Sequence, residues 1–273
     1  MRAFARQMTE RMKAVAAAGA VAAFWLAAWM LVAALVAQPL ILPGPGAVVA
    51  ALLRLVCAVG TWAILAGSGA RILGGLVFAA VCGGVLAGIS SRSRAFARLV
   101  APALSFVKAT PVACVVVLLL IWLGSARVSI AAVFLMALPG VYFSLVEGLS
   151  QVDKPLEQMF RLHGVRGWRL FCAHTWREVL PFVLSCARAV IGMSWKAGVA
   201  AELIGMAVGT VGERIYQAKL LIETADLLAW TVLVVAASWA CERVLVWLLR
   251  VSGPVAWGAA VRAHGHGLRR PAR

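Results

Sequence analysis

The sequence predicts an all-α membrane protein of about six transmembrane helices with both termini cytoplasmic, and three observations predict it. The 273 residues are 63% hydrophobic and only 13% charged, where a soluble domain carries about 25% charged residues. Apolar runs that can cross about 30 Å of hydrocarbon, which takes about 20 helical residues, recur six times. Basic residues collect in alternate connections between those runs. Together these predict a single transmembrane domain. Residues 1–60 form an N-terminal span and connector, 61–250 the core with a polar loop at about 148–181, and 251–273 a basic tail.

The tail "MRAFARQMTERMK" is basic, and the apolar run behind it extends from Ala14 to about Leu40. A signal peptide has an apolar core of about 7–15 residues, so this run predicts a first span, Ala14–Val36, that stays in the protein. "LPGPG" at Leu42–Gly46 is a turn. The second span, Ala70–Ser90, carries Gly84 and Gly88 as GxxxG, which predicts close helix approach within the subunit or at a dimer face. After the basic "SRSRAFAR" come Ala103–Leu123 and Val128–Glu147, parted only by "GSAR" and therefore a tight antiparallel pair. The fifth span is Phe182–Met206. An external stretch, "GERIYQAKLLIETADLL", then leads to Thr224 or Asp226 as the cap of the sixth, Leu227–Leu249.

Seventeen of the 26 Lys and Arg fall in the N-terminal tail, the loops after spans two and four, and the C-terminal tail. Four, namely Arg54, Arg127, Arg214 and Lys219, fall on the other side. Positive segments stay in the cytoplasm, so both termini and the loop after span four are assigned there. The net charge of +16 is then a topology signal. A nucleic-acid partner, which would need a basic face on a soluble module, is excluded. The tail "RAHGHGLRR" reads as a lipid-contacting end.

Six scattered cysteines without a CxxC pair read as small hydrophobic fillers rather than ligands or disulfides. Cys172 and His174 are the one pair near metal-ligand spacing, and no metal site is predicted. No G-x-x-x-x-G-K-[ST] loop occurs, so ATP is not bound by that route. An intramembrane serine protease would need a histidine inside a span, but His163, His174, His264 and His266 all lie outside them.

The interval from Gly148 to Pro181 is the longest polar stretch. Apolar residues at Leu156, Met159, Phe160, Leu162, Trp168, Leu170 and Phe171 are broken by Gly164 and Gly167. This predicts a short helix, a glycine break and a second helix rising to Pro181 and the next span. Phe, Trp and Arg exposed together make an interface composition, with a helix lying on lipid headgroups as the alternative. Inside or at the ends of the spans stand Lys108, Glu147, Arg188, Lys196 and Glu202, each costly in hydrocarbon; Arg188 is near enough to the headgroups to snorkel. Lys196, beside Trp195, has two readings. It forms a buried pair with Glu202 or Glu147, or it lines a passage for a small anion. About 600° of helical rotation separates Lys196 from Glu202, so a pair would join different helices or two subunits.

Glu157, Gly164, Leu180 and Pro181 stand where ABC-importer permeases carry a Glu-Ala-Ala, Gly and distal Leu-Pro motif. With "KATPVACVVVLLLIWLG", "GMSWKAGVAAELIG" and "VGERIYQAKLLIETADLLAWT" in order, the chain from about Ala70 to Leu249 resembles permeases of the nitrate, sulfonate and taurine group. It departs from them in two places. Gln158 and Met159 replace the alanines, and the Gly164–Pro181 spacing is longer by about four residues, near one helical turn.

The resemblance implies a type I, MetI-like importer fold in the bacterial inner membrane, working as a homodimer with no cofactor of its own. Two copies of a cytoplasmic ATPase would hydrolyse ATP, and an extracytoplasmic solute-binding protein would deliver a small anion. It implies that Glu157, Phe160, Gly164, Trp168, Phe171 and Pro181 couple to the ATPase. Lys108, Glu147, Trp195, Lys196 and Glu202 would stand near the translocation path. The alternative is a single-component secondary carrier, which would need paired repeats. Nothing in the residues names the solute.

Overall fold

The computed structural model describes residues 2–265, with side chains for 16, 17 and 19–251. The described residues are helical, without strands. In chain order the helices are α1 (Arg2–Val36), α2 (Pro45–Cys57), α3 (Val59–Ser90), α4 (Arg94–Ala109), α5 (Val112–Leu123) and α6 (Ser125–Ser150). Then come α7 (Lys154–Leu162), α8 (Gly167–Leu170), a π-helical turn (Phe171–Thr175), α9 (Trp176–Gly205), α10 (Val211–Leu220) and α11 (Thr224–Gly265). The chain forms two compact units. One runs up to Trp62 and adds Arg214–Leu233; the other takes Ala63–Glu213 and the chain from Val234 onward.

In the first unit, the apolar part of α1, Gly19–Val36, has none of its residues buried. Phe24, Trp25 and Leu35 stand out from it, as on a helix whose solvent is lipid. Pro45 opens α2 at a position where its missing N–H costs nothing. Arg54 pairs with Asp226, and the Thr224 hydroxyl donates to the Pro39 carbonyl at 3.4 Å. Helix α11 begins at Thr224 with Asp226 in its first turn, where its charge suits the helix dipole.

In the second unit α3, α6 and α9 pack closely, and glycines set the distances. A Cβ on Gly75 would lie 2.5 Å from the Ile130 carbonyl oxygen, one on Gly83 2.8 Å from Val141, and one on Gly198 2.5 Å from Ile72. The core between them holds Ile72, Val133, Ala137, Tyr142 and Ile191, and the Ser90 and Tyr142 hydroxyls bond at 2.9 Å. The GxxxG pair does not make the close approach within the subunit. Gly84 only grazes Leu145 at 3.9 Å and Gly88 meets nothing within 4 Å. The contact belongs to the neighbouring helix face.

Among the described residues five helices are long and apolar enough to cross a membrane, Gly19–Val36, Val59–Ser90, Ser125–Ser150, Gly167–Gly205 and Thr224–Val251, and the bent pair Arg94–Ala109 and Val112–Leu123 makes six if it counts as one span. The expected third span, Ala103–Leu123, is not a single helix. Its residues divide between α4 and α5, which meet at 101°. Pro111 is the cause. It lacks an N–H and its ring drives the preceding residue out of helical conformation, and Thr110 is extended at φ −74 and ψ 131. The expected "GSAR" link shrinks to Gly124, whose φ of 72 and ψ of 173 suit only glycine. Residues 266–273, with Arg269 and Arg270 of the expected lipid-contacting end, lie outside the described residues.

Candidate functional site

The loop between α6 and α9 folds as a short helix, a left-handed break and a second helix. Asp153 caps α7 by accepting the Leu156 N–H at 3.1 Å. Lys154 and Pro155 occupy the first turn, and the Glu157–Arg161 ion pair spans one turn at 2.6 Å. Gly164 and Gly167 take φ values of +80 and +60, which only glycine adopts without strain. Beyond them α8 passes through the π-helical turn straight into α9. The helix is thus continuous from Gly167 to Gly205, and a wide turn of this kind takes in an extra residue without ending the helix.

His174, inside the π-helical turn, fastens the two arms together. It is 3% exposed. Its Nε2 lies 3.1 Å from the Asp153 carbonyl, so Nε2 carries the proton and donates. The ring stacks on Phe160 with centroids 5.5 Å apart. Glu178, one turn on, accepts the Asp153 N–H at 3.0 Å and places a carboxylate oxygen 3.6 Å from His174 Nδ1. The sequence offers His174 only as a weak metal partner of Cys172, and carries no signal for this role as a clasp.

The expected coupling residues divide by direction. Phe160 faces inward onto His174. Trp168 stacks on Phe171 at 5.1 Å yet remains 76% exposed, and Leu162 is 87% exposed. Glu157 and Phe171 line a crevice that continues between the spans. Pro181 is an exposed residue inside α9. The loop thus offers an apolar surface of Met159, Leu162 and Trp168 just beyond the span ends.

The intramembrane residues divide as well. Glu202 is fully buried and accepts from the Ser68 hydroxyl at 2.8 Å and the Gly212 N–H at 3.4 Å. Ser68 also accepts the Val211 N–H at 3.0 Å. Arg71 Nη1 stands 3.8 Å from the other Glu202 oxygen, and neither atom has a hydrogen-bond partner among the described residues. Trp195 is buried, and its ring touches the Gly69 position at 3.5 Å. Within the subunit the Lys196–Glu202 and Lys196–Glu147 pairs do not form. Glu202 is committed to α3 and α10, and Glu147 bonds to Gln151 at 3.1 Å. Lys196 is exposed with no ion pair among the described residues, on the same face of α9 as Ser185, Arg188 and Gly192. Lys108 is exposed in the last turn of α4, where it meets the helix dipole favourably.

Residues 80–255 match the model of the binding-protein-dependent transport system inner membrane component family. The chain belongs to that family. The matched segment carries the whole α7–α9 loop, the α4–α5 corner, Lys196 and Glu202, whereas Ser68 and Arg71 precede it. The chain is 23% identical over 184 residues to the bicarbonate transport system permease protein CmpB of Synechococcus elongatus, covering 66% of this chain and 65% of that one. It is 29% identical over 147 residues to the protein named for aliphatic sulfonates transport, SsuC, of Bacillus subtilis, covering 54% and 52%. To SsuC of Escherichia coli it is 28% identical over 167 residues, covering 60% and 63%. In each case the chain spans less than two thirds of the relative's length. The family's inner-membrane placement agrees with the five long apolar helices.

Proposed function

We propose that this chain is the permease subunit of an ATP-driven importer for a small anion. It works as a homodimer with two copies of a cytoplasmic ATPase and an extracytoplasmic binding protein. Its core is residues 61–250, its coupling loop is about 148–181, and both termini are cytoplasmic. The observation that carries the reading is the loop itself. It is a capped helix and a glycine break locked to α9 by His174, with Met159, Leu162 and Trp168 held out beyond the spans. An apolar surface on a fixed frame at that level suits a cleft on a soluble motor that closes when it binds ATP.

A second feature supports the dimer. Arg188 and Lys196 are exposed on one face of α9 and have no ion-pair partner among the described residues. A lysine or arginine facing lipid at mid-membrane costs about 2.5–3.5 kcal/mol. A second copy of the chain would cover this face and turn it toward a shared passage that favours anions. Bicarbonate and sulfonates, named for the relatives, fit that charge.

The test is a pull-down of the tagged protein from mild detergent with mass spectrometry of what accompanies it, for wild type and Gly164→Asp. Asp at a φ of +80 is strained but meets open space, so the variant should insert normally. An ATPase that comes with wild type and is lost from the variant bears the reading out. No ATPase under conditions that keep the dimer intact overturns it in favour of the single-component carrier.

A further inference from the structure

A crevice of about 990 Å³ opens between α3, α6, α9 and α11 in the second unit, near the upper limit of about 1,000 Å³ for ligand pockets. Its two ends differ in chemistry. Along the spans it is walled by apolar side chains such as Leu76, Val77, Leu145, Val190 and Leu245. Gly84 and Gly88 face it too, and the missing side chain at Gly88 leaves space that no neighbour fills. From Leu73 to Ser91 this wall runs 18 residues of helix, about 27 Å at 1.5 Å per residue. At the mouth stand Arg92, just past the end of α3, and Lys154, at the start of α7. Arg161 lines the mouth as well, but its charge is answered by Glu157. Arg92 and Lys154 are exposed, and their side chains make no ion pair or hydrogen bond among the described residues.

The mouth therefore carries two uncompensated positive charges at the level where the spans end, over a long apolar slot. A small hydrated anion would meet the charges, but entering the slot would strip its water for no return. A purely apolar molecule would leave the cations unused. Only a molecule with an anionic head and a hydrocarbon tail satisfies both ends. Basic pockets between transmembrane helices at the membrane surface hold anionic lipid headgroups in this way.

We propose that the crevice binds one anionic phospholipid, with its phosphate between Arg92 and Lys154 and an acyl chain lying along Gly84 and Gly88. The lipid ties the first turn of α7 to α3, so the loop's position depends on bilayer composition. The inference stands apart from the importer reading, because it rests on the crevice and its mouth alone.

The test is native mass spectrometry of the full-length protein in mild detergent, with added phosphatidylglycerol, phosphatidylcholine or inorganic phosphate. Wild type should retain one phosphatidylglycerol per chain, preferred over phosphatidylcholine by roughly thirty-fold, as expected for two surface cations. The double variant Arg92→Gln, Lys154→Gln, changed only at exposed positions, should lose that preference. Gly88→Leu should lower retention of both lipids by filling the slot. Three results would overturn the proposal. One is equal retention by all variants; another is displacement of the lipid by inorganic phosphate, which would mark a free-anion site. The third is cross-linking of two chains by a photoreactive residue placed at position 88, which would mark the slot as a subunit contact.

Discussion

Ser68 and Glu202 are 134 residues apart in sequence, and the serine hydroxyl donates to the carboxylate at 2.8 Å deep between α3 and α9. The same oxygen accepts the Val211 N–H and the same carboxylate accepts the Gly212 N–H, so two side chains satisfy the first amides of α10. Those amides have no partner within their own helix. The turn after α9 is thereby sewn to α3.

Replacing Glu202 separates the roles of shape and charge. Glu202→Ala strands the Ser68 hydroxyl and the Gly212 amide, and each stranded buried group costs about 1–3 kcal/mol. Glu202→Gln keeps an acceptor oxygen and should lose less than half as much. Thermal unfolding of the detergent-solubilised protein, followed by size-exclusion fluorescence, ranks the two; equal losses would show that the hydrogen bonds contribute little.

Two glycines of α3 should respond oppositely to the same change. Gly75→Ala forces a methyl against the Ile130 carbonyl at 2.5 Å, and overpacking of this kind costs about 1–3 kcal/mol. Gly84→Ala meets only Leu145 at 3.9 Å and gains up to about 1 kcal/mol of helix propensity. Unfolding midpoints that shift in the same direction would refute the packing assigned to this helix.

His174→Ala should loosen the loop without unfolding the spans. It removes the stack on Phe160 and the hydrogen bond to the Asp153 carbonyl. Amide hydrogen exchange in residues 154–166 should quicken about ten-fold or more, since a net hydrogen bond and a ring contact together contribute about 1–2 kcal/mol. Unchanged exchange there would mean that Asp153 and Glu178 hold the loop alone.

Lys196→Glu should leave the unfolding midpoint within about 0.5 kcal/mol of wild type, as for other exposed positions. On the proposed importer reading, the variant reconstituted with the ATPase found in the pull-down should take up labelled bicarbonate or sulfonate at least ten-fold more slowly. Uptake unaffected by the reversed charge would place Lys196 away from the path.

The spans were legible because their signal is one-dimensional. A run of about 20 apolar residues needs no partner to announce itself, and Gly164 and Gly167 announced the break in the same way. The α4–α5 corner was also written in the sequence, in the Thr110–Pro111 dipeptide, but the apolar run around it concealed it. What could not be read was pairing across distance. Nothing near Glu202 in sequence points to Ser68, and Lys196 offered a closer partner that geometry refuses within the subunit. Gly84 and Gly88 showed the familiar spacing while Gly75 and Gly83, eight residues apart, make the contact, because the facing helix decides which small residues matter. His174 gave no signal either, as its partners Asp153 and Phe160 lie across the glycine break.

Gly124 is the whole connection between α5 and α6. With one residue between them, neither helix can slide along its axis without dragging the other. A displacement of α6 at this end would therefore carry the end of α5 with it, and the right-angled break at Thr110 and Pro111 sets α4 crosswise to that line.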